Sequence, residues 1–416
     1  MNRNQRLKYG MKRVAAGILT AGYILTAGVF PVYAADGGPG TGAQQIDLTS
    51  GGSFYSYQWA LKNNGNIQRV TSSLSIPISR APGERSWRNS FGGVMGMSIT
   101  QTVTNAVEGM DINIEPAWEY YESTSERRTV TVALIDTGVD ITHSELQNAI
   151  WINEDEIPGD GIDNDGNGYI DDVNGWNFFS GTNEVYAGSE DDHGTHGAGT
   201  IAAAWDGTGI SGIADSDYVK IMVLKALGTD EGYGTADSII EAIRYAEANG
   251  AEICNLSLGT VAYSEELKAA IENSSMLFVI SSGNGDSRGI GYDIDTWPVY
   301  PASFDSDNII SVANLMFDGT LDESSNFGAA SVDVAAPGTY ILSTTTGGGY
   351  GFMSGTSMSA PMVTGVAALV YSCRTDMALS DVREAIVSSA RSVDGLSGKL
   401  VSGGIVDAYA AITYGR

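Results

Sequence analysis

Two cysteines, three histidines, ten prolines and 22 basic residues in a chain of 416 rule out several kinds of protein at once. Two thiols cannot form the disulfide framework of a small secreted scaffold, and the length supplies core enough for one large α/β domain without such staples. Basic residues are outnumbered by 50 acidic ones, for a formal charge of −28. A phosphate backbone repels such a surface, which excludes nucleic acid as the main partner. Charged residues make up only 17% of the chain and hydrophobic ones 43%, the reverse of the balance that keeps a chain disordered. Beyond residue 34 no apolar run approaches the ~20 residues of a membrane-crossing helix. Glycine is abundant instead, at 53 residues, and points to tight turns and close backbone approaches.

The N-terminus differs from the rest. Arg3, Arg6, Lys8, Lys12 and Arg13 precede an apolar run from Val14 to Phe30, and Val32-Tyr33-Ala34 ends in a small residue. This is the pattern of a secretory signal, so residues 1–34 are read as one and the protein is expected outside the cell, with no stable membrane span once the signal is removed. An uncleaved anchor is the alternative that the length of the run leaves open. Removal takes away five of the 22 bases and none of the acids. Cys254, inside an apolar strand pattern, and Cys373, late in a helical one, are read as two separate thiols.

From about residue 128 the pattern is strand, loop, helix, repeated. Runs at 130–135, 219–224, 251–258, 276–280 and 309–313 are short and β-branched, as in parallel strands buried on both faces. Helical periodicity covers 235–248, 265–273 and 358–371. Strands alternating with helices imply an α/β fold, a doubly wound, mainly parallel sheet with helices on both faces and its site at the carboxyl ends of the strands. Residues 35–117, rich in Gly, Ser, Thr and Asn, are expected to form an irregular N-terminal segment with an insertion, part of which could be a prosegment. Residues 118–416 are expected to form the α/β domain.

Three segments carry nucleophile chemistry. Asp136 follows the strand 130–135 in Ile-Asp-Thr-Gly, His193 stands in Asp-Asp-His-Gly-Thr-His-Gly-Ala-Gly, and Ser357 lies in Ser-Gly-Thr-Ser-Met-Ser-Ala-Pro where a helix begins, with Pro361 expected in its first turn. A serine hydroxyl needs a base to take its proton, and a neutral imidazole needs a carboxylate to hold its tautomer. His196 and His143 are competing bases. The order Asp, His, Ser excludes the α/β-hydrolase and chymotrypsin arrangements and leaves that of subtilisin.

At this point the chain resembles the subtilisin-like serine peptidases, or subtilases. The stretches that carry the resemblance are Asp136-Thr-Gly-Val, His193-Gly-Thr-His-Gly-Ala-Gly, Asn255-Leu-Ser-Leu-Gly, Ser281-Ser-Gly-Asn-Gly and Gly355-Thr-Ser-Met-Ser-Ala-Pro, in family order from about residue 118 onward. The resemblance implies that Asp136 orients the base, His193 is the base, Ser357 is the nucleophile and Asn284 is the oxyanion donor. It also implies a peptide or protein substrate bound as an added strand between Gly232-Tyr233-Gly234 and Ser257-Leu258-Gly259. Asp230, Glu231, Asp286, Asp293 and Asp295 border those stretches and lead to the expectation of a pocket for Arg or Lys. A dedicated leader-peptide or proprotein maturation protease, and a non-catalytic surface protein on the same scaffold, are the competing readings.

Asp163, Asp165, Asn167, Tyr169, Asp171 and Asp172 place oxygen donors at near-alternate positions around a glycine at the sixth, Gly168, as in a calcium loop. The twelfth position is Asn174 rather than Glu, so the loop is not a complete EF-hand. Crowded carboxylates repel one another without a cation, so structural Ca2+ is the expected cofactor. The resemblance suggests a second, weaker site at Glu145 and Asp206. It also places the start of a mature domain near Tyr57–Leu61 and Gly109–Trp118, leaving 66–108 as an insertion in which Arg80, Arg85 and Arg88 could be cut.

Overall fold

A computed structural model describes residues 31–34, 44–45, 52–77, 94–103, 105–229 and 232–416. The apolar runs become the middle of a nine-stranded sheet. Its order is Arg391–Ser392, Gly404–Ile405, Val334–Pro337, Ile309–Leu315, Leu277–Ser281, Ile253–Leu256, Val130–Asp136, Val219–Lys225 and Gly175–Asn177. Neighbours run parallel throughout, apart from the antiparallel edge pair Arg391–Ser392 and Gly404–Ile405. The chain enters at Val130–Asp136, passes to the edge strand Gly175–Asn177, fills in Val219–Lys225 between them, and then crosses to the other side at Ile253–Leu256. The winding reverses there, and the crevice above a reversal is where such sheets hold their ligands.

Alternate strand residues face two cores. Val130, Val132 and Leu134 pack with helices Ile114–Ser123, Asp192–Ala202, Thr356–Cys373, Leu379–Ser388 and Ala408–Ile412. Ala133 and Ile135 pack with helices Ala236–Ala248 and Glu265–Glu272 on the other face. Strands covered on both sides need no polar alternation, which is why the runs read as continuous apolar sequence.

The N-terminal stretch is more ordered than the sequence suggested. Phe54, Trp59, Ala60, Leu61 and Ile67 are buried in the cores of the α/β domain, so packing extends well before residue 118. Within the expected irregular segment, Gln68–Pro77 and Val94–Thr102 pair as an antiparallel hairpin. Arg80, Arg85 and Arg88 lie outside the described residues, as do residues 1–30 of the signal pattern. Both thiols are free and buried. Among the described residues no helix is long and apolar enough to cross a membrane.

Candidate active site

Asp136 ends its strand at the carboxyl edge of the sheet and is 2% exposed. Its Oδ1 accepts from the Thr137 N–H and lies 2.7 Å from His193 Nδ1. An Nδ1–H given to that carboxylate leaves Nε2 of the neutral ring as the basic nitrogen. His193 sits in the first turn of helix Asp192–Ala202, which reaches Asp136 only because Gly194 follows. A Cβ on Gly194 would lie 2.2 Å from the Gly138 carbonyl oxygen, so any side chain there forces helix and strand apart.

Ser357 begins the helix Thr356–Cys373, which packs against the histidine helix where Gly197 meets Pro361. The helix starts at Thr356, so Pro361 falls beyond the first turn expected for it. A proline there cannot bond the carbonyl four residues back, which is that of Ser357. The Ser257 hydroxyl takes over and donates to the Ser357 carbonyl at 3.0 Å, while the Ser357 hydroxyl faces the Ser257 carbonyl at 3.4 Å. Buried Asn255 braces this exchange, giving Nδ2–H to Ser257 Oγ at 3.0 Å and accepting from Thr364 of the same helix at 2.8 Å. Asn255 and Ser257 therefore fix the serine in a way the motif alone does not reveal.

Asn284 has its amide orientation set by its partners. Its Oδ1 accepts from the Thr356 N–H at 2.8 Å and the Thr356 hydroxyl at 2.9 Å, and that hydroxyl accepts from the Gly283 N–H. Asn284 Nδ2 is buried with no hydrogen-bond partner among the described residues. A buried amide donor left unpaired beside a serine at a helix N-terminus is poised for an oxygen that acquires negative charge.

The other two histidines are tied elsewhere. His196 Nε2 meets the Ile341 carbonyl at 2.9 Å, deep in the core. His143 accepts the Glu145 N–H at Nδ1, so its Nε2–H donates to the Gly349 carbonyl, and burial lowers its pKa. Asp136 is paired with His193 alone of the three.

A buried cation escaped the sequence reading. Lys225, at the end of an apolar strand, is 1% exposed and pairs with Asp191 at 2.5 Å and Glu190 at 2.8 Å. It also donates to the carbonyl of Thr137. One ammonium thus holds the residue after Asp136 and the residues just before His193. A lysine closing the apolar stretch Ile221–Leu224, opposite Asp136 in the register, was the available signal.

The two predicted substrate stretches flank the chain's own Pro31–Ala34 in a four-stranded sheet, with Leu227–Gly228 as a further edge strand beyond Tyr233–Thr235. Val32 pairs with Gly234 and Tyr33 with Tyr233 on one side; Tyr33 pairs with Gly259 and Ala34 with Leu258 on the other, all antiparallel. Of the acids expected to border a pocket for Arg or Lys, Asp286 pairs with Arg288 at 2.6 Å, Asp295 accepts from the Ala330 and Ser331 N–H groups, and Asp293 accepts from the Asp295 N–H. Such local bonds hold turns together. Asp230 and Glu231 lie outside the described residues.

The candidate calcium loop separates its acids. Asp165, Asp172 and a residue the motif missed, Glu156, bring carboxylate oxygens within 4.8 Å of one another. Asn167 reaches Asp165 and Asp172 through its amide, each at 2.9 Å, and Tyr245 donates to Asp172 at 2.5 Å. Asp163 and Asp171 do not join them. Asp163 accepts the N–H groups of Gly166, Asn167 and Gly168, and Asp171 those of Gly159, Asp160 and Gly161; Glu156 likewise accepts those of Asn164, Asp165 and Asp171, so all three brace the loop backbone. Tyr169 turns its ring against Trp176, Phe178 and Tyr245. Glu156 lies before the repeating pattern, which is why spacing did not find it. At the second suggested place, Glu145 accepts from Tyr350 at 2.5 Å and burial pushes its carboxyl up to about 7, while Asp206 is held down by its bonds to Thr208.

A mainly parallel sheet carries Asp136, paired with His193, at the carboxyl end of one strand, and Ser357 against Ser257, just past the end of the next strand. Residues 127–404 match the model of the Subtilase family, and the chain belongs to that family. It is 35% identical over 302 residues to the Thermophilic serine proteinase of Bacillus sp. (strain AK1), covering 72% of this chain and 64% of that protein. It is 31% identical to Thermitase of Thermoactinomyces vulgaris over 73% of this chain and 94% of the relative. It is 32% identical to Subtilisin-like protease 1 of Plasmodium berghei, of which it spans half. Its relatives also include the Major intracellular serine protease of Bacillus subtilis, so membership does not assign a compartment.

Proposed function

We propose that this chain is a secreted, calcium-stabilised serine endopeptidase. Ser357 attacks a peptide carbonyl, His193 takes the hydroxyl proton and returns it to the leaving amine, and Asp136 supports the imidazolium. Asn284 Nδ2 and the backbone N–H of Ser357 receive the oxyanion, and water then releases the acyl-enzyme. The observation that carries this reading is the pair of commitments at the site: His193 Nδ1 held by Asp136 at 2.7 Å, and Asn284 with its oxygen pinned and its buried nitrogen unpaired. Peptide lies between Gly232–Gly234 and Ser257–Gly259. A fluorophosphonate probe is expected to label the wild-type protein and to leave Ser357→Ala unlabelled; an unlabelled wild type refutes the reading.

Secretion is supported by the basic and then apolar N-terminus. Calcium is supported by the donor set. Three carboxylates with oxygens within 4.8 Å of one another are hard oxygen ligands whose repulsion a divalent cation relieves. Glu156, Asp165 and Asp172 would hold it, and its role is to fasten the 153–172 loop onto helix Ala236–Ala248 through Tyr245. A cation bound only by the folded state, at a hundred times its dissociation constant, adds about 2.7 kcal/mol. Chelator is therefore expected to lower Tm by about 3 °C in calorimetry, and Asp172→Asn to erase the difference between calcium and chelator. An unchanged Tm in the wild type contradicts the calcium assignment.

A further inference from the structure

One hairpin is tied to all three segments that carry the triad. Its strands Ile341–Thr345 and Gly349–Met353 pair antiparallel, and the second runs through Ser354, Gly355 and Thr356 directly to Ser357. Its base is closed by the Gly355 N–H on the Gly338 carbonyl and by the Tyr340 N–H on Ser354 Oγ, each at 2.8 Å. The place of the serine therefore follows from the place of the hairpin.

Side chains bind the hairpin to the other two segments. After Asp136, the Gly347 N–H donates to Asp140 Oδ2 at 2.8 Å, His143 donates to the Gly349 carbonyl at 2.9 Å, and Tyr350 donates to Glu145 at 2.5 Å. Toward the histidine helix, Ser343 donates to the His196 carbonyl and Thr344 to the Thr195 carbonyl, both at 2.7 Å. The remaining tie is made by the turn. Thr346 gives its N–H at 2.9 Å and its hydroxyl at 2.6 Å to a single oxygen, Oδ1 of Asp192, the residue immediately before His193. The turn faces Asp140 and Asp192 together because Gly347 and Gly348 adopt φ of 73° and 74°, where a side chain would be strained. Asp191, one residue earlier, is held by Lys225 of the sheet. Of these two anchors beside His193, the one at Asp192 reaches the hairpin of the serine.

Resting on the peptidase reading, we infer that Thr346 and Asp192 are positioning residues, whose paired hydrogen bonds set where His193 stands relative to Ser357. Asp136 fixes the tautomer of the ring, but the serine arrives on a different helix and must meet that ring at hydrogen-bonding distance. A displacement of about 1 Å between reacting groups can cost on the order of 10²-fold in rate, so a link between the two helices has a kinetic value apart from its effect on stability. Asp192 serves as an acceptor at a fixed place, and an amide oxygen there serves equally. Thr346 is half-buried at the tip, so changing it opens no core.

The test uses the full chain, with kcat and KM on a chromogenic alanine peptide, the rate of fluorophosphonate labelling, and Tm. Thr346→Val loses the hydroxyl and keeps the N–H, and is expected to lower kcat roughly tenfold; Asp192→Ala loses both bonds and is expected to lower it roughly 10²-fold. KM should stay within about twofold of wild type in both, and labelling should slow by the same factors as kcat. Thr346→Ser and Asp192→Asn, which retain a hydroxyl and an acceptor oxygen, are expected to recover most of the loss. Thr346→Val combined with Asp192→Ala should be no slower than Asp192→Ala alone, since both changes break one link. Wild-type kcat and labelling in Thr346→Val overturn the inference, as does a loss carried by KM. Asp192→Asn as slow as Asp192→Ala also overturns it, because the charge rather than the position would then be responsible. Should Thr346→Val not fold, the comparison of Asp192→Ala with Asp192→Asn decides. A wild type that is neither labelled nor active strikes the peptidase reading beneath instead.

Discussion

Replacing Ser357 by alanine is expected to reduce kcat by on the order of 10⁶-fold, the scale known for subtilisin, with little change in KM. His193→Ala should lose about as much, and the double variant no more than either single one, because the hydroxyl is useless without its base and the base without its hydroxyl. Asp136→Ala removes a support rather than a reactant and should lose less, roughly 10⁴- to 10⁵-fold. Asn284→Leu keeps the approximate volume but removes the donor whose oxygen is fixed by Thr356, so kcat should fall roughly 10²- to 10³-fold. Steady-state kinetics on a small alanine-containing peptide checks all four. A double variant far worse than the single ones would show that Ser357 and His193 act separately and would defeat the triad assignment.

The second large effect is on stability. Lys225→Met leaves Asp191, wholly buried, without the ammonium that lies 2.5 Å away, and frees the carbonyl of Thr137 as well. Burial already raises the Asp191 pKa despite that partner. Removing one member of a buried pair strands the other charge and costs about 3–5 kcal/mol, whereas replacing both can be nearly neutral. Lys225→Met is therefore expected to be strongly destabilised in urea denaturation, and Lys225→Met with Asp191→Asn to recover much of the loss. A single variant within about 1 kcal/mol of wild type would show that the pair does not hold the site together. Because Lys225 joins the residue after Asp136 to those before His193, the single variant should also lose kcat.

Much of the fold was legible because buried parallel strands must be apolar along their whole length and the helices between them must be periodic. Val130–Asp136, Val219–Lys225 and Ile309–Leu315 differ from the sequence expectation by one or two residues at their ends. The serine helix began two residues earlier than its periodicity suggested, since Ser357 and Thr356 bond to partners outside the helix. The hairpin Gln68–Pro77 with Val94–Thr102 was not foreseen. Leu74 and Ile76 in one strand and Met95, Met97 and Ile99 in the other alternate with small or polar residues, a period-2 signal that the Ser- and Thr-rich composition obscured.

The sequence by itself determined the parts of this protein that depend on residue type and chain order. These are the acidic composition, the α/β fold, and the chain order Asp136, His193, Asn284, Ser357 on which the peptidase proposal rests. Contacts between residues far apart in the chain were decided by the tertiary structure alone. Spacing cannot show that Lys225 closes on Asp191, that Glu156 joins Asp165 and Asp172, or that Asp286 is consumed by Arg288, because each depends on which groups the fold brings within hydrogen-bonding distance. A side chain's type is written in the sequence, but its partner is settled by packing, and at this site the partners separate supporting carboxylates from those available to a cation.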